Sequence, residues 1–65
     1  MWTVTGYIYD ADTMEVIAEI TGETRKVERY VYENYDLDVY GLTFSPAFGF
    51  GGGLIDTADK DIINI

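Results

Sequence analysis

Apolar and polar positions alternate from the start of the chain. Trp2, Val4, Gly6 and Ile8 interleave with Thr3, Thr5, Tyr7 and Tyr9, and this period of two predicts a strand over Trp2–Asp10. Asp10-Ala11-Asp12-Thr13 then supplies turn chemistry, because short carboxylate side chains hydrogen-bond nearby backbone amides. A second alternating run, Met14–Thr21, sets Met14, Val16, Ala18 and Ile20 on one face and Glu15, Ile17, Glu19 and Thr21 on the other. The two runs are expected to pair as an antiparallel hairpin.

Gly22 ends that period and a helical one replaces it. Val27, Tyr30, Val31 and Asn34 follow i, i+3, i+4, i+7 spacing, and Tyr35 widens the stripe. Arg25, Glu28, Arg29, Tyr32 and Glu33 occupy the other side. Thr21 or Thr24 is the expected cap, and Glu23 suits the positive end of the helix dipole. After Asn34–Asp38 a third strand is predicted over Val39–Ser45, stopped by Pro46. Residues 46–53 form a glycine-rich loop holding Phe48 and Phe50. The tail, residues 54–65, ends in Ile62-Ile63-Asn64-Ile65, a candidate short fourth strand.

This order predicts one α+β domain over residues 1–65, a small ββαβ(β) unit with its helix on one sheet face. A right-handed crossover through the helix sets the third strand parallel to the second. The third strand then lies beside the second or, antiparallel, beside the first. The expected core is Trp2, Val4, Ile8, Val16, Ile20, Val27, Val31, Leu42 and Phe44.

Composition narrows the function. The 65 residues contain no Cys and no His, which excludes disulfides, thiolate nucleophiles, imidazole bases and Cys- or His-based zinc sites. A formal charge of -8 disfavours nucleic acid and anionic lipid as direct partners. Nothing resembles a membrane span, and Met1-Trp2-Thr3-Val4 lacks the basic start of a secretion signal, so the cytoplasm is the expected compartment. At 48% hydrophobic residues the chain is folded, yet so small a domain buries only ~60% of its unfolded surface. Self-association or a partner would help it.

The reactive inventory is carboxylates and tyrosines. Asp10-x-Asp12 and Asp36-x-Asp38 flank element ends, where turn capping outweighs acid–base chemistry without a cleft. Asp10 opens a stretch reminiscent of a calcium loop, but Glu15 stands where the EF-hand needs glycine and Thr21 where it needs Glu. Gly49-x-Gly51-Gly52-Gly53 lacks the Lys-Ser or Lys-Thr of a phosphate loop. No catalytic residue, metal site or cofactor is predicted.

Charge distribution is the stronger signal. Residues 1–22 carry Asp10, Asp12, Glu15 and Glu19 with no cation, a net -4. Residues 23–35 balance to zero, and residues 36–65 return to -4. On regular alternation Glu15 and Glu19 share a face with Tyr7, Tyr9 and Ile17, about 13 Å apart. Such a face suits a basic groove, its carboxylates standing in for nucleic-acid phosphates. The expected partner-binding residues are therefore Tyr7, Tyr9, Asp10, Asp12, Glu15, Ile17, Glu19, Phe48 and Phe50. In general character the chain is similar to short acidic proteins of phages and mobile elements, often stoichiometric inhibitors of host defence enzymes. That likeness implies an anti-CRISPR or anti-restriction type of inhibitor acting in the host cytoplasm on a basic, nucleic-acid-handling enzyme. The alternative expectation is a homodimer joined through the open sheet face, enclosing a small ligand.

Overall fold

A computed structural model describes residues 2–49 and 53–65. Four strands, β1 (Thr3–Asp10), β2 (Val16–Glu23), β3 (Tyr40–Thr43) and β4 (Asp61–Asn64), form one mixed sheet, and the helix α1 (Thr24–Asn34) packs against it. The strand order is β3-β1-β2-β4. β1 is antiparallel to β2 and to β3, and β4 is parallel to β2. Of the two placements open to the third strand, the one beside β1 is adopted, and the fourth strand forms on the outer side of β2.

The core lies between sheet and helix. Ile8, Ala18, Ile20, Val27 and Val31 are fully buried, with Val4, Ile17, Tyr30, Tyr35, Tyr40, Leu42 and Ile63 packed around them. Gly6 faces this layer, and a β-carbon there would stand 3.0 Å from both Val27 and Leu42. Its missing side chain is the space into which helix and β3 close.

The β1–β2 ladder slips once. Ile8 pairs with Ala18, but Tyr9 pairs with Val16, so Ile17 is an extra residue in β2. Cross-strand partners project to the same face, so Val16 joins Tyr9 on the side away from the helix while Ile17 packs against the helix-side core. The single face expected for Val16, Ala18 and Ile20 is therefore divided. Val16 remains fully buried, but in a second apolar site on the far face, where Val16 N–H donates to the Ile55 carbonyl (2.9 Å).

Two other expected core members differ. Trp2 is 86% exposed, because the first rung of the ladder is Thr3 with Glu23 and Trp2 lies beyond it. Phe44 is 40% exposed, past the last residue of β3. The helix start differs too. Thr24 is its first residue, Glu23 occupies the cap position, and no side chain caps it. Arg25 and Lys26 fill the first turn and Glu33 the last, against the helix dipole. So short a helix is held by Val27 and Val31, not by its ends.

Near the helix C-terminus, Tyr35 packs between Tyr30 (centroids 6.4 Å apart) and Tyr40 (5.9 Å, edge-to-face). Desolvation by burial, reinforced by Tyr30, Asp61 and Tyr40, raises the Tyr35 hydroxyl above its usual range. In the unfolded chain it ionises near its ordinary value of ~10. The stability linked to it is complete below that value and is lost as pH rises through the higher folded value. Stability in denaturant should therefore fall above about pH 10, and Tyr35→Phe should reduce that fall. Parallel alkaline profiles of parent and variant would contradict this.

Ile20→Ala should cost about 2–5 kcal/mol by emptying the centre of the core, whereas Trp2→Ala should change stability by less than ~0.5 kcal/mol. Urea melts followed by circular dichroism measure both. Equal midpoints for the two variants would refute this core assignment.

Candidate functional site

Three loops meet at the hairpin end of the sheet, stitched by backbone hydrogen bonds. Ala11 N–H donates to the Val39 carbonyl (3.1 Å), tying the hairpin turn to the turn before β3. Ile55 N–H donates to the Met14 carbonyl (2.9 Å), tying the same hairpin to the tail. The loops bring together Asp10, Asp12, Glu15, Asp36, Asp38 and Asp56, all exposed apart from the half-buried Asp10. Leu37, Val39 and Ile55 lie exposed in the same loops. The result is an acidic rim with apolar points in it.

Some of these carboxylates also build the turns. Asp10 Oδ1 accepts the N–H groups of Asp12 (2.8 Å) and Thr13 (3.3 Å), and Asp36 Oδ1 accepts that of Asp38 (2.9 Å). Asp12, Glu15 and Asp38 donate only their backbone amides to this network, so their carboxylates are left to solvent.

The hairpin residues expected to form one binding face are distributed otherwise. Tyr7 sits across from Glu19 on one side and Thr43 on the other, with Phe48 edge-on to its ring (6.0 Å). Phe48 thus folds back over the sheet, and Phe50 lies outside the described residues. Glu19 is not a free carboxylate, because Lys60 Nζ stands 3.2 Å from Glu19 Oε2 and also pairs with Asp56. The hydrogen bond to Asp56 is the main reason the Lys60 ammonium is held above its ordinary range; partial desolvation opposes it and Glu19 adds to it. The slip at Ile17 also removes Glu15 from the phase of Glu19, so the regular 13 Å track of two carboxylates is not formed. Ile17 belongs to the helix-side core.

Beside the rim, on the face away from the helix, lies a cavity of about 240 Å³. Tyr9, Met14, Pro46, Ala47 and Leu54 give it apolar walls, and Thr43 and Ser45 line it with hydroxyls. Leu54 is only 6% exposed and closes one side. Among the described residues, none that lines it is charged. Tyr9 takes its position because Gly41 opposes it, where a β-carbon would fall 2.3 Å from the ring. Met14 adopts a left-handed backbone (φ 65°), and its N–H donates to the Asp10 carbonyl (2.7 Å). Thr57 Oγ1 donates to the Val16 carbonyl (2.8 Å) and anchors the tail across the same face.

Neither the cavity nor the apolar points Leu37, Val39 and Ile55 was picked out from sequence. Pro46 after a strand and the isolated Leu54-Ile55 pair within a polar tail are the available signals. Among the described residues no cluster of three or more acidic side chains is arranged to hold a metal ion. No helix among them is long and apolar enough to cross a membrane. No family model, curated protein or solved structure matches this chain.

Gly41→Val should displace the Tyr9 ring and cost roughly 1–3 kcal/mol through overpacking. Tyr9→Ala added to Gly41→Val should recover part of that loss, because the clash is with this ring. A double variant no more stable than Gly41→Val alone would show that the glycine serves another purpose.

Proposed function

We propose that this chain is a non-enzymatic binding protein that places its acidic rim in the basic groove of a partner, as an inhibitor. The observation behind this reading is the gathering of six carboxylates on three hydrogen-bonded loops, with Leu37, Val39 and Ile55 exposed among them. Carboxylates of one sign steer a basic surface from a distance, and apolar points supply contact once it arrives. The partner of matching chemistry is a nucleic-acid-handling enzyme whose groove ordinarily holds phosphates. An anti-defence role in a host cytoplasm, of the anti-CRISPR or anti-restriction type, is the setting in which such a small acidic inhibitor works.

The alternative, a homodimer through the open sheet face, draws on the half-covered tyrosines and on Ile62, which stands beside Glu19 and is largely exposed. It has less support, since Phe48 already stands against Tyr7 and the tail already hydrogen-bonds to Val16.

Asp12→Asn, Glu15→Gln and Asp38→Asn together remove three charges and leave the turn-building side chains of Asp10 and Asp36 in place. Association with the basic enzyme should slow roughly tenfold while dissociation changes little, because steering acts on encounter. Glu19→Gln should have a smaller effect, its charge being shared with Lys60. Nucleic acid should compete with the protein for one site. Simultaneous binding of both, or an unchanged association rate in the triple variant, would overturn the proposal.

A further inference from the structure

We infer that the cavity bordered by Tyr9, Met14, Thr43, Ser45 and Leu54 receives an arginine side chain of the basic partner. This rests on the reading of the acidic rim above and extends it from long-range attraction to a specific anchor. The two surfaces are continuous. Met14 and Leu54, which line the cavity, precede Glu15 and Ile55-Asp56 of the rim, and Ile55 N–H is bonded to the Met14 carbonyl (2.9 Å).

Size limits the occupant first. About 240 Å³ lies below the roughly 300–1,000 Å³ of pockets for drug-sized ligands and suits one side chain. Charge limits it next. A protein of net charge -8 repels anions, and the adjoining carboxylates favour a cation. The lining then discriminates between cations. Among the described residues no carboxylate lines the cavity, so a strongly hydrated ammonium would lose its water without a direct counter-ion. A guanidinium is more weakly hydrated, is planar, and stacks on an aromatic face. Tyr9 is the aromatic side chain in the lining and would supply that stacking partner. Thr43 and Ser45 supply hydroxyl oxygens as acceptors for its N–H donors; Thr43 Oγ1 already accepts from Ser45 N–H (3.2 Å) and keeps a second lone pair. The methylene stem meets Met14, Pro46 and Leu54.

The test uses the whole protein and two peptides of equal charge, one with Lys-Arg-Lys and one with Lys-Lys-Lys between glycines. Binding is followed residue by residue through amide chemical shifts. Both peptides should shift amides of the rim. The arginine peptide alone should also shift Thr43, Ser45 and Leu54, and it should bind at least about threefold more tightly. Tyr9→Leu should abolish the difference between the peptides and leave rim binding intact. Thr43→Val offers a second variant, outside the Tyr9–Gly41 contact, that should narrow the same difference. Equal affinities with shifts confined to the rim would overturn the arginine anchor and leave the acidic-rim reading standing. Binding of neither peptide would overturn both. A difference that survives both substitutions would place the arginine elsewhere and overturn the anchor.

Discussion

The extra residue at Ile17 is the constraint on which the far face of this domain depends. Without it, β2 would continue its alternation and send Val16 into the layer beneath the helix. With it, Ile17, Ala18 and Ile20 all serve the helix side, while Val16 turns to the other. A fully buried Val16 on that face needs a cover, and the tail supplies one through Ile55 and Thr57. The buried Val16 on the far face and the tail bonded across it follow from one unpaired position. A sheet with one helix thus acquires a second small apolar centre where a bare face was expected.

Electrostatics opposes the fold at several points. Cations fill the first turn of α1 and Glu33 its last, each placement costing about 0.3–1 kcal/mol at an exposed helix end. Six carboxylates are carried on adjoining loops, and among the described residues the ion pairs formed are those of Lys60 with Glu19 and Asp56. For a domain with stability on the order of 0.1 kcal/mol per residue, such terms are a large fraction of the total. The helix-side core must offset them. Residues that strain a fold in this way are where binding and folding make different demands on one surface.

Much of the architecture was legible in the sequence, because period and punctuation agreed. The hairpin, the helix from Val27 to Asn34 and the strand before Pro46 each followed from spacing. The slip at Ile17 did not, since Val16-Ile17-Ala18 is apolar throughout and no residue marks which one is extra. Trp2 has the right parity for the core but no rung of ladder beneath it, and parity alone does not give ladder length. The rim was legible only in part, as the two acidic turns Asp10-x-Asp12 and Asp36-x-Asp38, with Asp56 left in the tail. Their junction depends on backbone amides and carbonyls, which every sequence possesses and none displays. Lys60 shows the same limit: its pairing with Glu19 joins residues distant in sequence, made neighbours by the parallel placement of β4.

Met14 unites these themes. A non-glycine residue in the left-handed region costs roughly 1–2 kcal/mol, and glycine at the end of this hairpin loop would avoid that cost. Glycine, however, would leave the cavity open on the hairpin side, where the Met14 side chain now forms a wall with its methyl near Gly53. The Met14 carbonyl, oriented by the same backbone, accepts the Ile55 amide that brings the tail onto the rim. Backbone ease is therefore traded for one side chain and one carbonyl direction. Both bear on the place where the apolar far face meets the acidic loops, and this makes the hairpin turn an organising part of the binding surface as well as a connection between strands.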